Sequence, residues 1–391
     1  MIPKTNSGAR KAPLFPKIGG NMIRTLQKAY FEPGRRIIVI SDIHGHLDHL
    51  KALLKKTGYG PKDILVILGD MIERGHRSLG VLRFLMELDR NPNTYVLMGN
   101  VDLWEGSLVE DPTVLNDAEY LEHQITFIGY NGKTMFLEML EESGIPFPET
   151  PEAMSECRKY LTGKYKAELD FIRERPLILE TETMNFVHGG MPNVPPETLT
   201  DTDPYTLTKN DLFLRQGYRF DKLLIVGHWP ALNYRDDEIC LDPLYSPGQK
   251  IWSIDGGMGV TRLMQLNALI FTDKYDEKPQ TLYWDELPKA CAMTAQKGKK
   301  AGIVTHFPHN SLQILEKRET VARIRHDFTG RELWVPCDLL YSDTNGDNFT
   351  DELLEIEPGD EFGIVSDTEM GYLVKKDGRV GWYKGKIKGL Q

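Results

Sequence analysis

Apolar residues along this chain fall into two regimes. From Arg36 to Phe271, short runs of Ile, Val and Leu alternate with stretches in which leucine recurs at helical spacing; beyond Ile303 the runs are separated by turn dipeptides. Arg36-Ile-Ile-Val-Ile-Ser41, Asp63-Ile-Leu-Val-Ile-Leu68 and Thr94-Tyr-Val-Leu-Met98 predict strands, the first a buried one. Leu47, Leu50 and Leu54 mark a helix face, with Lys55 and Lys56 in its last turn and Gly58 past its end. Ser78 is placed to cap a second helix running to about Arg90. This strand–helix–strand rhythm predicts an α/β layer.

Residues 103–183 change character and read as a helical insertion. Helices are expected over Gly132 to Ser143 and Pro151 to Arg175, the second capped by Thr150 with Pro151 at its first position. Strands resume at Met184 to Val187, Lys222 to Val226, Ile251 to Ile254 and Leu266 to Phe271. Lysines among small residues make 285–302 an expected linker. Past it, Asn345-Gly346, Pro358-Gly359 and Asp377-Gly378 punctuate an all-β pattern. Asp377-Gly378 between Tyr372-Leu-Val374 and Val380-Gly-Trp-Tyr383 is a hairpin signature. That end resembles a bacterial SH3-like barrel, with Trp382 expected in its core. The expected domains are thus a basic extension (1–34), a catalytic domain (35–284), the linker, and an SH3-like domain (303–391).

Composition narrows the function classes. The 391 residues are 40% apolar and 27% charged, with net charge −10. No apolar run approaches the ~20 residues of a membrane span, and no secretory leader is evident at the N-terminus. An acidic chain lacks the basic face that nucleic acid requires. The first 36 residues are the exception, with eight Lys/Arg against Glu32, and read as a solvated arm. Four dispersed cysteines, with no CxxC pair, fit reduced thiols in a cytoplasm.

Five short motifs lie where strands are expected to end, the place where sites collect in open α/β sheets. They are Ser41-Asp-Ile-His-Gly45, Leu68-Gly-Asp-Met-Ile-Glu-Arg-Gly75, Met98-Gly-Asn-Val-Asp102, Val187-His-Gly-Gly190 and Val226-Gly-His-Trp-Pro230. Asp42 and His44, two apart on extended chain, point one carboxylate and one imidazole the same way. Asp70 can bridge two metals, Arg74 can fork a phosphate, and Asn100 offers an amide oxygen. His188 and His228 each follow an apolar strand and meet or adjoin glycine, which admits close backbone approach. Carboxylate, imidazole and amide donors suit manganese, iron or zinc.

The ordered set DxHG, GDxxxRG, GNxD, HGG and GH resembles the calcineurin-like metallophosphoesterases, and within them the phosphoprotein phosphatase branch, which includes bacterial serine/threonine phosphatases and diadenosine tetraphosphatases. Ser253-Ile-Asp-Gly-Gly257 resembles that branch's closing segment. The resemblance spans about 36–272. It implies a β-sandwich flanked by helices and a site for two divalent cations, manganese foremost. Asp42, His44 and Asp70 would hold one; Asp70, Asn100, His188 and His228 the other. It implies phosphomonoester hydrolysis by a metal-bridging water, with Arg74 on the substrate phosphate and a second arginine after HGG. Arg215 is preferred there over Arg219, and Asp102 is expected to orient His44 or another ligand. Substrates would be phosphorylated proteins or small phosphate esters, including dinucleotide polyphosphates; a docking protein without turnover is the non-enzymatic alternative. A peptide partner for the SH3-like end is a further option, and no nucleic-acid or membrane partner is expected.

Two positions depart from the branch. Val101 stands where it has a histidine, and Glu73 where it has the aspartate paired with that histidine. Both members of one proton-donating unit are therefore changed together, which favours good leaving groups such as aryl phosphates, phosphotyrosine or anhydrides. His46 and His76 are candidate replacements. Trp104 and Trp229, beside the motifs, read as packing residues or walls of the substrate mouth.

Overall fold

The computed structural model describes residues 24–110 and 113–389. Strands β1 (Leu26–Lys28), β2 (Ile37–Ile40), β3 (Ile64–Ile67), β4 (Thr94–Val96), β5 (Ile178–Glu180), β6 (Met184–Val187), β7 (Leu223–Val226), β8 (Ile239–Cys240), β9 (Leu244–Ser246), β10 (Ile251–Ser253), β11 (Leu266–Phe271) and β12 (Gln280–Trp284) build the first part of the chain. All but β8 form two sheets, ordered β1-β5-β6-β7-β10-β9 and β12-β11-β2-β3-β4. The sheets share one core: Ile37, Val39, Ile64 and Val66 of one meet Leu179, Phe186 and Ile225 of the other. Ile38 and Ile40 alternate to the opposite face and pack under α1 (Leu47–Thr57) and α2 (Ser78–Leu88). Strands buried on both faces thus produce the unbroken apolar runs seen in sequence.

The insertion is helical: α3 (Asn100–Glu110), α4 (Asp117–Asn131), α5 (Met135–Ser143), α6 (Pro151–Lys164) and α7 (Lys166–Arg173). Thr150 caps α6 through Ala153 N at 3.2 Å, as expected. The single helix expected over 151–175 is instead two, broken at Tyr165, whose buried ring sends its hydroxyl to Met139 O. Ser78 is the first residue of α2 rather than its cap; its hydroxyl accepts from Glu73 N instead.

The helices exchange caps. Glu138 in α5 accepts from Ser78 N and Leu79 N at 2.7 and 3.0 Å, satisfying the free amides that start α2. Glu73, in the loop before α2, accepts from Met135 N at 2.7 Å, at the start of α5. Burial and the nearby Glu105 push the Glu73 carboxyl well above its ordinary pKa.

The C-terminal region is all β, and its sheet takes in part of the expected linker. Strand β13 (Lys289–Ala292) lies inside the expected linker and pairs with Glu361–Thr368 and Ile387–Gly389. Only Ala290 and Ala292 of β13 turn inward, and such small side chains leave no hydrophobic signature. The same six-stranded sheet takes β8 at its other edge, paired with Arg379–Tyr383. A three-stranded sheet of Leu312–Lys317, Val321–His326 and Glu332–Pro336 completes most of the region. The Asp377-Gly378 hairpin forms as expected, with φ of 49° and 69° at its two turn residues, and Trp382 is buried. Asn345-Gly346 is a short strand rather than a turn.

Part of the segment expected as a basic extension joins the sheets. Residues 1–23 lie outside the described residues, whereas β1 pairs with β5 and Phe31 is buried between the sheets. Among the described residues, no helix is long and apolar enough to cross a membrane, and all four cysteines are free.

Candidate metal centre

Each motif sits in the turn just past its strand, and the turns are tight. Asp42, His44, Asp70 and His228 have φ between 47° and 67°, a region that side-chain-bearing residues rarely adopt. Neighbouring glycines make the crowding possible. A Cβ on Gly99 would overlap the Asp70 backbone and carboxylate; one on Gly227 would overlap Ser41 Oγ and the Asp42 carboxylate.

The expected ligands converge. The ligating atoms of Asp42, Asp70 and His188 lie within 4.8 Å of one another, all buried. Asp70 is the hub: Oδ2 is 3.5 Å from His44 Nε2, and Oδ1 is 3.4 Å from His188 Nε2. Asn100 Oδ1 is 3.1 Å from His188 Nε2. His228 donates its backbone N–H to both Asp42 oxygens, at 3.2 and 3.1 Å, and its ring lies 5.5 Å from that of His188.

Carbonyl and carboxylate partners set the imidazole orientations. His44 Nδ1 faces Ile72 O at 3.1 Å, and His188 Nδ1 faces Leu68 O at 2.9 Å. A carbonyl only accepts, so both rings carry the proton on Nδ1 and turn Nε2 to the cluster. His228 is reversed: Nε2 lies 2.7 Å from Asp211 Oδ1, leaving Nδ1 available. Asp211 also pairs with Lys209, whose Nζ is 3.4 Å from His228 Nε2. Neither residue was singled out from sequence. They lie in a polar loop without a motif and are 17 and 19 positions from their histidine.

The electrostatics are those of anions crowded without water. Burial opposes charge on Asp70, but the imidazoles of His188 and His44 and the Val101 N–H hold its carboxyl well below the usual range. Burial also disfavours a charged His188, yet the carboxylates of Asp70 and Asp42 push its pKa up to about 9. Asp42 rises to about 6, chiefly through burial, with Asp70 adding repulsion. Burial lowers His44 to about 3 and His228 to about 4. Asp255, of the Ser253–Gly257 segment, is driven well up by burial and the neighbouring Asp42. Buried carboxylates at such separations call for compensating cations. Two carboxylates, three imidazoles and one amide oxygen fit a pair of borderline divalent ions.

The remaining candidates are placed unevenly. Arg74, at φ 67°, has its Nε buried without a partner, and its charge helps lower His44. Asp102 is buried and accepts from Gly99 N and Met71 N, both at 2.9 Å. It thereby caps α3 and ties the Asn100 turn to the Asp70 turn; among the described residues its hydrogen bonds do not include His44. Its carboxyl rises to about 7, mainly through burial and then through Asp70. Arg215 is exposed, with Asp236 at 2.9 Å and Tyr234 O at 3.4 Å as its partners; Arg219 is also exposed. His46 stands edge-on to His49 with Nδ1 on Ile43 O, and His76 is exposed. Trp104 faces His123, whereas Trp229 lies between His228 and Phe307.

The two departing positions both face the helical insertion. Val101 donates its N–H to Asp70 Oδ1 at 2.8 Å, while its side chain joins an apolar cluster with Tyr120, Met135 and Phe136 of the insertion. Glu73 is turned to the same insertion, where it caps α5. Both positions serve the packing of the helical block.

The family model of the calcineurin-like phosphoesterases matches residues 35–248. The chain belongs to this family. This phosphoesterase is 42% identical over 66 residues to a symmetrical bis(5'-nucleosyl)-tetraphosphatase of Actinobacillus pleuropneumoniae serotype 3 (strain JL03), covering 17% of this chain and 24% of that protein. A protein of the same description from Yersinia pestis (strain Pestoides F) is 44% identical over 66 residues, 17% of this chain and 22% of its own. The phosphoesterase thus spans about a quarter of the length of the curated relatives it matches. Among solved structures, it is similar to a cold-active protein-tyrosine phosphatase of a Shewanella species (16% identity, 72% of this chain and 89% of that one, TM-score 0.41). It is also similar to a protein serine/threonine phosphatase from Saccharomyces cerevisiae (13% identity, 68% and 84%, TM-score 0.41).

Proposed function

We propose that the protein is a dinuclear metal-dependent phosphoesterase that hydrolyses phosphomonoesters with good leaving groups. The observation that carries this reading is the place of Asp70, one oxygen toward His44 and the other toward His188, as a carboxylate shared by two cation positions requires. Asp42 and His44 would complete one position; Asn100, His188 and His228 would complete the other. Manganese is the preferred ion. A bound pair would supply Lewis-acid polarisation of a phosphoryl group and a water of lowered pKa.

The chain's own groups do the rest. Arg74, with a buried unpartnered Nε beside His44, would take a phosphate oxygen with its planar fork. Asp211 orients His228, and Lys209 adds positive charge on the same side. The unpartnered Arg74 Nε carries the assignment of phosphate binding, and the diversion of Glu73 and Val101 into packing carries the preference for leaving groups that need no proton. Phosphotyrosine proteins and aryl phosphates fit this chemistry best. A second reading, cleavage of a dinucleotide polyphosphate, is favoured by the 66-residue likeness to symmetrical bis(5'-nucleosyl)-tetraphosphatases, since an anhydride also departs without a general acid.

The test is elemental analysis of the purified protein together with rates on aryl phosphates, phosphoserine and phosphotyrosine peptides, and diadenosine tetraphosphate. Turnover of para-nitrophenyl phosphate that Asp70→Asn abolishes supports the reading. Metal binding with no turnover on any substrate overturns it in favour of a docking protein.

A further inference from the structure

Arg74 stands in a left-handed backbone conformation, directly after Glu73 in another. Two such residues in succession hold their shape only where their surroundings enforce it. On one side the enforcement comes from the Glu73 carboxylate, tied to Met135 N. On the other comes the loop from Asp255 to Gln265. Gly259, itself at φ 66°, lies so close that an added Cβ would meet the Cβ and Cδ of Arg74. The same loop begins with Asp255, electrostatically coupled to Asp42.

The middle of this loop is held from outside the matched span of 35–248. Thr261 Oγ1 and Arg262 N both donate to the carboxylate of Asp347, each at 2.6 Å. Lys375 Nζ donates to Leu263 O and Met264 O at 2.9 and 3.2 Å. Both charged groups belong to the C-terminal β region and both are almost fully buried, Asp347 at 2% and Lys375 at 1% exposure. Each has further partners: Asp347 accepts from the hydroxyl of Tyr341 at 2.8 Å and from the Asn348 amide, and Lys375 pairs with Asp285 at 2.9 Å. Four consecutive residues, Thr261 to Met264, are thus gripped by two buried ions. Met264 Sδ in turn receives the N–H of Gly259 at 3.4 Å, which passes the grip to the residue against Arg74.

We infer that Asp347 and Lys375 are positioning residues for Arg74, so that the C-terminal β region completes the phosphate-binding side of the site although it lies wholly beyond the matched span of 35–248. The inference rests on the reading of Arg74 as the phosphate ligand. Neither residue touches substrate; each fixes the loop whose backbone supports the arginine stem.

The experiment uses the full chain loaded with Mn²⁺, inorganic phosphate as the competing ligand and para-nitrophenyl phosphate as substrate. Asp347→Ala and Lys375→Met are each expected to raise KM and the phosphate inhibition constant about tenfold, the scale of one charge-assisted hydrogen bond lost at Arg74. kcat and bound metal per chain should stay within about twofold, because the grip acts on binding. Should either variant fail to fold, Thr261→Val removes one of the two bonds to Asp347 with smaller change and is read identically. Phosphate inhibition unchanged in the folded variants, while Arg74→Ala weakens it, overturns the inference and leaves the proposed function standing. A parallel fall in kcat, metal content and thermal midpoint also overturns it, since that marks general destabilisation. If Arg74→Ala itself leaves phosphate inhibition unchanged, the assignment of Arg74 fails first.

Discussion

Loading this site with a divalent ion must displace a proton, and the structure says from where. His188 turns Nε2 into the cluster between Asp70 and Asn100, and in the metal-free protein its pKa stands at about 9. At pH 7.5 the ring is therefore cationic and must give up one proton to become a ligand. Apparent affinity for Mn²⁺ should rise about tenfold, or ~1.4 kcal/mol, per pH unit from 6 to 9. Below pH 6 the slope should steepen, because Asp42 is pushed up to about 6 and must lose a proton as well. Above 9 it should flatten. Titration calorimetry of Mn²⁺ into the metal-free protein, in two buffers of different ionisation enthalpy, measures the protons released. About one proton at pH 7.5 is expected. A heat independent of buffer at that pH would refute the reasoning, because it would mean that His188 is already neutral or does not bind the ion. The same group ties stability to pH without metal. Its folded pKa lies above the ordinary 6.5, so its contribution is whole below 6.5 and is lost as pH rises through about 9.

Three further outcomes follow from the geometry. Asp211→Ala removes the acceptor that orients His228 and should weaken metal affinity by ~10- to 100-fold, with the fold unchanged by circular dichroism; equal affinity would show that His228 needs no such partner. Gly227→Ala places a methyl against Ser41 and the Asp42 carboxylate, so equilibrium dialysis should find less than one ion per chain. Glu138→Ala leaves Ser78 N and Leu79 N unmatched at the start of α2, and urea unfolding should report a loss of about 2 kcal/mol; a loss below about 0.5 kcal/mol would mean that water substitutes for the carboxylate.

The candidate metal cluster was largely legible because its residues are anchored locally. Asp42, Asp70, Asn100, His188 and His228 each follow a strand whose apolar run is unmistakable, and strand ends are where a parallel arrangement gathers side chains. Asp211 and Lys209 were not legible, since a loop of irregular backbone brings them to His228 and no spacing rule describes that path. Asp102 was expected to orient His44 or another ligand, whereas its bonds go to Gly99 N and Met71 N, which depend on where a helix begins. Strand β13 was hidden by its own smallness, alanine and lysine being poor strand markers. Glu73 and Val101 show the converse. Sequence revealed that a pair had changed together, and only the packing of the insertion explained why.

Strand β8 has a consequence for how the protein is made. Ile239 and Leu241 are buried in one cluster with Leu373, Val380 and Trp382, which follow far along the chain. During synthesis the earlier half must leave the ribosome with that oily flank bare, and Leu373, Val380 and Trp382 cover it only once they too have emerged. Nascent copies are therefore exposed to clumping until then, and a chain cut short near residue 284 should yield insoluble protein even with every candidate metal ligand intact.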